Sequence, residues 1–366
     1  MPSAVSARLP VFPWDRLEPY KATASAHPDG IVDLSVGTPV DPVPDLVQRA
    51  LAGAADSPGY PTVWGTSALR DAIVDWCARR TGAVGLDHRG VLPVIGSKEL
   101  VAALPGQLGL GPGDRVAYPE PAYPTYEVGA RVARAEPVPY RGSPTALDPS
   151  GLRLLWLNSP ANPTGRVLDL AELRAIVRWA RRHGVLVVSD ECYLELGWDA
   201  EPVSVLHPDV CGDSHHGLVA VHSLSKRSNL AGYRAAFLAG DAEVIGELLA
   251  VRKHAGMMLP APVQAAMAVA LGDQDHVTEQ RARYAARRAA LRAALTARGF
   301  AVEHSEASLY LWATRHEPCW DTVAELSKLG ILVAPGDFYG AAGERFVRVA
   351  FTATDERVAS AVARLA

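Results

Sequence analysis

The feature that most restricts the fold is an alternation, from about Asp45 to Leu249, between stretches of helical hydrophobic periodicity and short uninterrupted apolar runs. Runs of that kind suit strands buried on both faces, and the helices between them supply the cover. The pattern therefore predicts β-α-β units and a largely parallel sheet. Val91–Ile95, Arg115–Tyr118, Leu152–Leu157, Val185–Ser189, Leu218–Val221 and Ala235–Ala239 are the predicted strands. Leu69 to Cys77 repeats apolar residues at helical spacing behind Ser67 or Thr66 as a helix cap. Leu170 to His183 is an amphipathic helix closed by Gly184, the residue type that best tolerates a left-handed C-terminal cap. Parallel strands bring their C-terminal ends to one edge of the sheet, so chemistry is expected on residues that follow strands.

After Leu249 the texture becomes α+β. A long helix over Thr278–Arg298 precedes strands Ala301–His304 and Leu309–Ala313, a helix over Asp321–Leu329, strands Ile331–Ala334 and Phe346–Phe351, and a closing helix. The expected architecture is an α/β large domain over residues 45–250, its mostly parallel central sheet flanked by helices. A smaller α+β domain is built from residues 1–44 and 251–366, with the connection around Met257 to Pro262. At 366 residues and 49% apolar content the chain can fill a substantial core. Its net charge of -4, with arginines and acids spread along the whole length, offers no basic face for nucleic acid. Cys77, Cys192, Cys211 and Cys319 form no CxxC pair, which suggests neither a disulfide framework nor a zinc cage. No window approaches ~18 uninterrupted apolar residues, and Met1 to Pro13 lacks the apolar core of a leader. A cytoplasmic protein without a membrane partner is expected.

Six segments carry candidate chemistry. Lys226, among only five lysines, lies in His222-Ser223-Leu224-Ser225-Lys226-Arg227, with Arg234 further on. An amine made nucleophilic by nearby positive charge and desolvation can form a Schiff base with an aldehyde, and the hydroxyls and arginine beside it can hold a phosphate. Those two jobs together describe a pyridoxal phosphate site; a mixed polar surface loop is the alternative. Gly96-Ser97-Lys98-Glu99 follows a strand and opens a helix, aiming free N–H groups at an anion or forming an ordinary cap. Tyr118 to Tyr126 is a proline-stiffened aromatic loop in which Tyr123 can stack on a flat heterocycle or fill an inert turn. Asn158 to Gly165 turns sharply and places Asn162 at the sheet edge, although turn chemistry alone explains it as well. Asp190 ends an apolar strand, where a carboxylate leaving water wants a cation such as a protonated pyridine nitrogen. Metal ligation by Asp190 and Glu191 lacks histidines at ligand spacing. Arg348, inside the apolar strand Phe346–Phe351, needs an anion, either a substrate carboxylate or an internal partner.

In order and placement these segments resemble the class I/II aminotransferases of the fold-type I pyridoxal phosphate enzymes, over almost the whole chain. The resemblance implies that Lys226 forms the imine with pyridoxal 5'-phosphate and shuttles the proton. It implies that Asp190 pairs with the pyridine nitrogen, that Asn162 and Tyr193 bond the phenolic oxygen, and that Tyr123 stacks on the ring. Ser97, Lys98, Ser223, Ser225 and Arg234 match the phosphate positions, and Lys98 stands where many relatives have a smaller or neutral side chain. Tyr60 matches the tyrosine that reaches the phosphate of a neighbouring subunit, which makes a homodimer part of the expectation. Gly37, Asn162 and Arg348 match the seat of the substrate α-carboxylate.

Within the family, the opening Pro10 to Asp15, the Val94 to Leu100 turn and the compact length look most like the actinobacterial N-succinyldiaminopimelate aminotransferases of lysine and peptidoglycan precursor synthesis. The implied reaction moves an amino group between glutamate/2-oxoglutarate and N-succinyl-2-amino-6-oxopimelate. Lys98, Arg16 and Trp64 are candidates for the distal acidic group. The alternatives are an aminotransferase for aspartate, aromatic or branched substrates, or a pyridoxal phosphate-dependent carbon–sulfur lyase. A ligand-sensing transcription regulator would need a DNA-binding helix-turn-helix, for which the first 45 residues are too few and too proline-rich.

Overall fold

The computed structural model describes residues 5–366, so the first four residues of the expected small domain lie outside it. Its centre is a seven-stranded sheet of β1 (Val91–Val94), β2 (Arg115–Pro119), β3 (Glu136–Tyr140), β4 (Leu152–Asn158), β5 (Leu186–Asp190), β6 (Leu218–Ser223) and β7 (Ala236–Gly240), in the order β1-β7-β6-β5-β4-β2-β3. All neighbours pair in parallel except β7, which runs antiparallel to both β1 and β6. Every predicted strand of this sheet is present, and β3 is an addition. Its sequence Glu-Pro-Val-Pro-Tyr reads as loop because proline cannot donate to a ladder. The strand is tolerated at the sheet edge, where it pairs only with β2.

Alternation sends successive side chains to opposite faces, and both faces are dry. Leu154, Trp156, Val188, Val219 and Val221 pack against helices Ser97–Gln107 and Thr125–Ala133 on one side. Leu155, Leu157, Val187 and Ala220 pack with Ile73, Trp76 and Ile176 on the other. Each fully buried side chain of this size contributes roughly 1.5–3 kcal/mol. Helix Ser67–Arg80 is capped by Thr66, which accepts from the Leu69 N–H. Helix Leu170–His183 starts with a reciprocal Asp169/Glu172 cap and ends on Gly184 at φ 64°.

A second core joins Leu17, Val32 and Leu34 from the N-terminal segment to Leu291, Leu295, Leu311, Val323, Val349 and Val358 from the C-terminal third. Strands Ala334–Pro335, Val347–Ala350, Tyr310–Thr314 and Ala301–Glu303 form its antiparallel sheet in that order, and Val32–Asp33 pairs in parallel with Ile331–Leu332. The long arginine-rich helix runs Asp275–Ala297. Helix Ala261–Gly272 buries Ala266, Met267 and Ala270 in the same core as Leu69 and Ile73. Pro262 sits in the first turn of that helix, where its missing N–H costs nothing.

Candidate active site

Strand β5 ends on Asp190, whose carboxylate is 7% exposed. Tyr126 donates its hydroxyl to Asp190 Oδ2 at 2.8 Å, and the Cys192 N–H donates to Oδ1 at 3.2 Å. Burial pushes the carboxyl above its ordinary range, while the Cys192 thiol and these two donors pull it back. Among the described residues it forms no ion pair. The neighbouring strand β4 ends on Asn158, whose amide donates to the Pro160 and Asp190 carbonyls at 3.1 Å each and whose Oδ1 accepts from the Asn162 N–H at 2.8 Å. One buried side chain thus ties the turn bearing Asn162 to the strand bearing Asp190.

Arg348, on strand Val347–Ala350, reaches that turn from the second core. It donates to Asn162 Oδ1 at 2.8 Å and to the Ser35 carbonyl at 2.7 Å, with its guanidinium over the rings of Tyr310 at 4.0 Å and Tyr339 at 4.8 Å. Its Nε finds no partner, although the residue is only 3% exposed. No carboxylate answers it among the described residues, which decides against the internal salt bridge.

On the far side, β1 leads through Gly96 into helix Ser97–Gln107. Gly96 has φ 99°, and a Cβ there would run into the guanidinium of Arg234. Arg234 itself is left-handed at φ 57° and donates to the Ala231 carbonyl at 2.9 Å. Ser223 and Ser225 join hydroxyls at 2.9 Å. Between the two arginines, the Lys226 amine donates to the Gly37 carbonyl. Burial pushes it below the ordinary lysine range, and Arg348 and Arg234 push the same way. A Cβ on Gly37 would overlap the Tyr310 hydroxyl, which meets the Tyr193 hydroxyl at 3.0 Å. Burial by itself would raise the Tyr310 phenol, but the Arg348 and Lys226 cations and the bond from Tyr193 hold it below its usual range. The Tyr123 phenol, edge-on to Tyr126 at 5.9 Å, is pushed up to about 12 by burial.

The arrangement is electrostatically incomplete. Among the described residues, Lys226, Arg234 and Arg348 converge without a carboxylate partner, and Asp190 lacks a cation. A ligand with a phosphate for Arg234 and the helix start, a protonated ring nitrogen for Asp190, an aldehyde for Lys226 and a carboxylate for Arg348 satisfies each of them. The residues present therefore fit pyridoxal phosphate plus an amino or oxo acid.

Four expected residues stand apart. Lys98 is exposed, with its ammonium 5.7 Å from the centre of the Phe12 ring. Tyr60 is 98% exposed and makes none of these contacts within its own chain. Arg16 is paired with Asp337 at 2.9 Å over the Trp320 ring, so its charge is already answered; Trp64 carries Arg70 on its face at 4.2 Å. Conversely, Tyr126, Asn158, Tyr310 and Tyr339 were not singled out by sequence. For Tyr126 and Asn158 the signal was a polar group in an already suspect turn, whereas Tyr310 and Tyr339 are recognisable only once the second core closes on the first.

Comparison with known proteins agrees with this geometry. The family model "Aminotransferase class I and II" matches residues 29–365. The probable aminotransferase Rv1178 of Mycobacterium tuberculosis is 65% identical, over 99% of this chain and 86% of that protein. The 4-dedimethylamino-4-oxo-anhydrotetracycline transaminase OxyQ of Streptomyces rimosus is 60% identical, over 98% of this chain and 99% of its own length. Among solved structures, substrate-bound BacF from Bacillus subtilis matches with a TM-score of 0.89 at 27% identity, over 100% of this chain and 96% of that one. N-succinyldiaminopimelate aminotransferase from Mycobacterium tuberculosis matches with a TM-score of 0.84 at 29% identity, over 96% and 98%. With a mostly parallel-sheet domain whose strand ends gather a part-buried lysine, an aspartate and two arginines that meet no carboxylate among the described residues, the chain belongs to the class I and II aminotransferases, which depend on pyridoxal 5'-phosphate.

Proposed function

We propose that the protein exchanges an amino group between glutamate and an oxo acid, with Lys226 moving the proton and Arg348 gripping both substrates in turn. The observation that carries this reading is the set of three convergent cations and one carboxylate without ionic partners among the described residues. When bound, pyridoxal phosphate supplies an aldehyde for amines and a ring that withdraws electrons from the substrate α-carbon. Asp190, buried and steadied by Tyr126, holds a proton at the ring nitrogen. Gly96, Ser97, Ser223, Ser225 and Arg234 cradle the phosphate, with Lys98 adding charge there or to the substrate; Tyr123 covers the ring, and Asn162 and Tyr193 bond its phenolic oxygen. Lys226, kept neutral part of the time by burial and the neighbouring arginines, accepts the α-proton and returns it on the other side of the exchange. Gly37 lets the chain pass close enough for its carbonyl to hold the idle amine.

The reading includes a cytoplasmic homodimer in which the exposed Tyr60 reaches the partner's phosphate site. It also includes two domains, residues 45–250 and residues 1–44 with 251–366. Because Met267 and Ala270 pack with Leu69, we move helix Ala261–Gly272 to the large domain.

For the acceptor we propose N-succinyl-2-amino-6-oxopimelate, supported by the likeness to the mycobacterial N-succinyldiaminopimelate enzyme. A second reading, a bulky aromatic ketone, is favoured by the 60% identity to a transaminase named for a tetracycline intermediate and by the aromatic wall of Trp14, Phe338 and Tyr339 beside Arg348. Mixing the holoenzyme with glutamate and then with a panel of oxo acids, while following the cofactor spectrum, separates the two; ammonia released from one substrate alone would indicate a carbon–sulfur lyase. Lys226→Ala should be colourless and inactive, and a yellow, active variant would refute the assignment.

A further inference from the structure

One buried pair plays no part in the chemistry above. Strands β5 and β6 pair Asp190 with Val221, which places Glu191 beside His222, and the Glu191 N–H donates to the Val221 carbonyl at 2.9 Å. Both side chains are sealed from solvent, at 1% and 2% exposure. Glu191 Oε1 accepts from the Val205 N–H at 2.8 Å, but Oε2 and both ring nitrogens of His222 have no partner. Oε2 and Nε2 are 3.6 Å apart, too far for a direct hydrogen bond. Beside them lies a cavity of about 10 Å³ lined by Glu191, His222, Ser223, Cys192, Trp76 and Arg227. That volume and that polarity suit a single water, and buried polar atoms left without partners call for one.

Resting on the reading of Asp190 and Ser223 as cofactor contacts, we propose that Glu191 is held as a neutral carboxylic acid and joined to His222 through one buried water. The two act as a positioning pair that fixes the strand ends presenting Asp190 and Ser223. The acid form gives both carboxyl oxygens a role, with Oε1 accepting from Val205 and the Oε2 hydroxyl donating to the water, which donates to one nitrogen of a neutral His222. An ionised Glu191 would instead stand next to the Asp190 charge with no cation of its own. Arg227 is committed to Glu195, and Cys77 on helix Ser67–Arg80 is a buried thiol. Burial acts in the same direction, pushing Glu191 up to about 7 and His222 down to about 3. Trp76 at 4.8 Å and Phe237 at 5.1 Å wall the imidazole against charging.

The test is infrared spectroscopy at pH 6, where ordinary glutamates are ionised. A carboxylic-acid carbonyl band should appear in the wild-type protein, shift on labelling glutamate carboxyl carbons with carbon-13, and vanish in Glu191→Gln. No glutamate-derived band overturns the proposal, and the labelled wild type decides even if the variant fails to fold. In the holoenzyme, Glu191→Gln should move the pH midpoint of the visible cofactor band by less than about 0.3 unit, whereas loss of a negative charge so close would move it by about one unit. Glu191→Gln should keep cofactor affinity within about twofold and Glu191→Ala lose about tenfold, and equal loss in both would contradict the positioning role. A chain that binds no cofactor at all would overturn the Asp190 assignment instead, while the infrared band stays readable.

Discussion

Replacing Tyr126 by phenylalanine removes one hydroxyl from a fully buried site and leaves the ring packed at 5.0 Å against Trp156. The lost bond is a 2.8 Å donation to a carboxylate that is otherwise steadied by the thiol and the N–H of Cys192. A hydrogen bond to a charged group contributes about 1.5–3 kcal/mol, and one to the protonated acid about 1 kcal/mol. The difference corresponds to raising the Asp190 carboxyl by roughly one unit beyond the rise that burial already imposes. A folded value above the unfolded one means stability lost as pH climbs through the folded value, so the variant's deficit in cofactor-free protein should be largest near neutrality. Urea midpoints should show a gap of about 2 kcal/mol at pH 7.5 that shrinks towards about 1 kcal/mol below pH 4. In the holoenzyme the Asp190 carboxylate loses the hydroxyl that orients it towards the ring nitrogen, and kcat should fall roughly tenfold. KM for glutamate should stay put, because Arg348 and Asn162 are untouched. A pH-independent deficit together with an unchanged kcat would refute the reasoning.

Arg348→Lys cannot hold the Asn162 amide oxygen, the Ser35 carbonyl and a carboxylate at once; kcat/KM should drop about 100- to 1000-fold for every amino donor and oxo acceptor alike, and a loss confined to one substrate would contradict the shared clamp. Gly96→Ala places a methyl against Arg234 at a φ of 99°, so cofactor affinity measured by equilibrium dialysis should weaken at least about tenfold with about 1–2 kcal/mol of backbone strain. Glu191, at about 7 against 4.5 for the free acid, contributes stability at low pH that fades between about pH 4.5 and 7; His222, at about 3 against 6.5, contributes above pH 6.5 and loses it on acidification. Because the two slopes oppose each other between about pH 4.5 and 6.5, the parent protein's stability should stay nearly level there, and denaturant titrations should find Glu191→Gln gaining on the parent by on the order of 3 kcal/mol as pH rises from 4.5 to 7.

Strands such as β4 and β5 were legible because their apolar runs face dry cores on both sides, and helix Leu170–His183 because cap, periodicity and closing glycine agree. Strand β3 was not, since local propensity speaks against Pro137 and Pro139 and only an edge position rescues them. At the site, Lys226, Asp190, Asn162 and Arg348 could be singled out because each is a polar group on or beside an apolar run. Their bonding could not. Tyr193 meets Tyr310 across 117 positions within the second core and Arg348 meets Asn162 across 186, contacts made only when distant segments pack together. Arg16 shows the opposite failure, a cation suggested for substrate that tertiary packing spends on Asp337.

The imbalance of charge at the strand ends has an effect that reaches beyond the cavity. A chain of net charge -4 should on average repel anions, yet Lys226, Arg234 and Arg348 gather near the strand ends against one acid, Asp190. Field lines from such a cluster are focused by the low-dielectric walls around it, so dicarboxylates are drawn inward from within a Debye length while the rest of the surface turns them away. Encounter rates with acidic metabolites will consequently fall as ionic strength rises, and inorganic anions will act as weak competitors for the same cations.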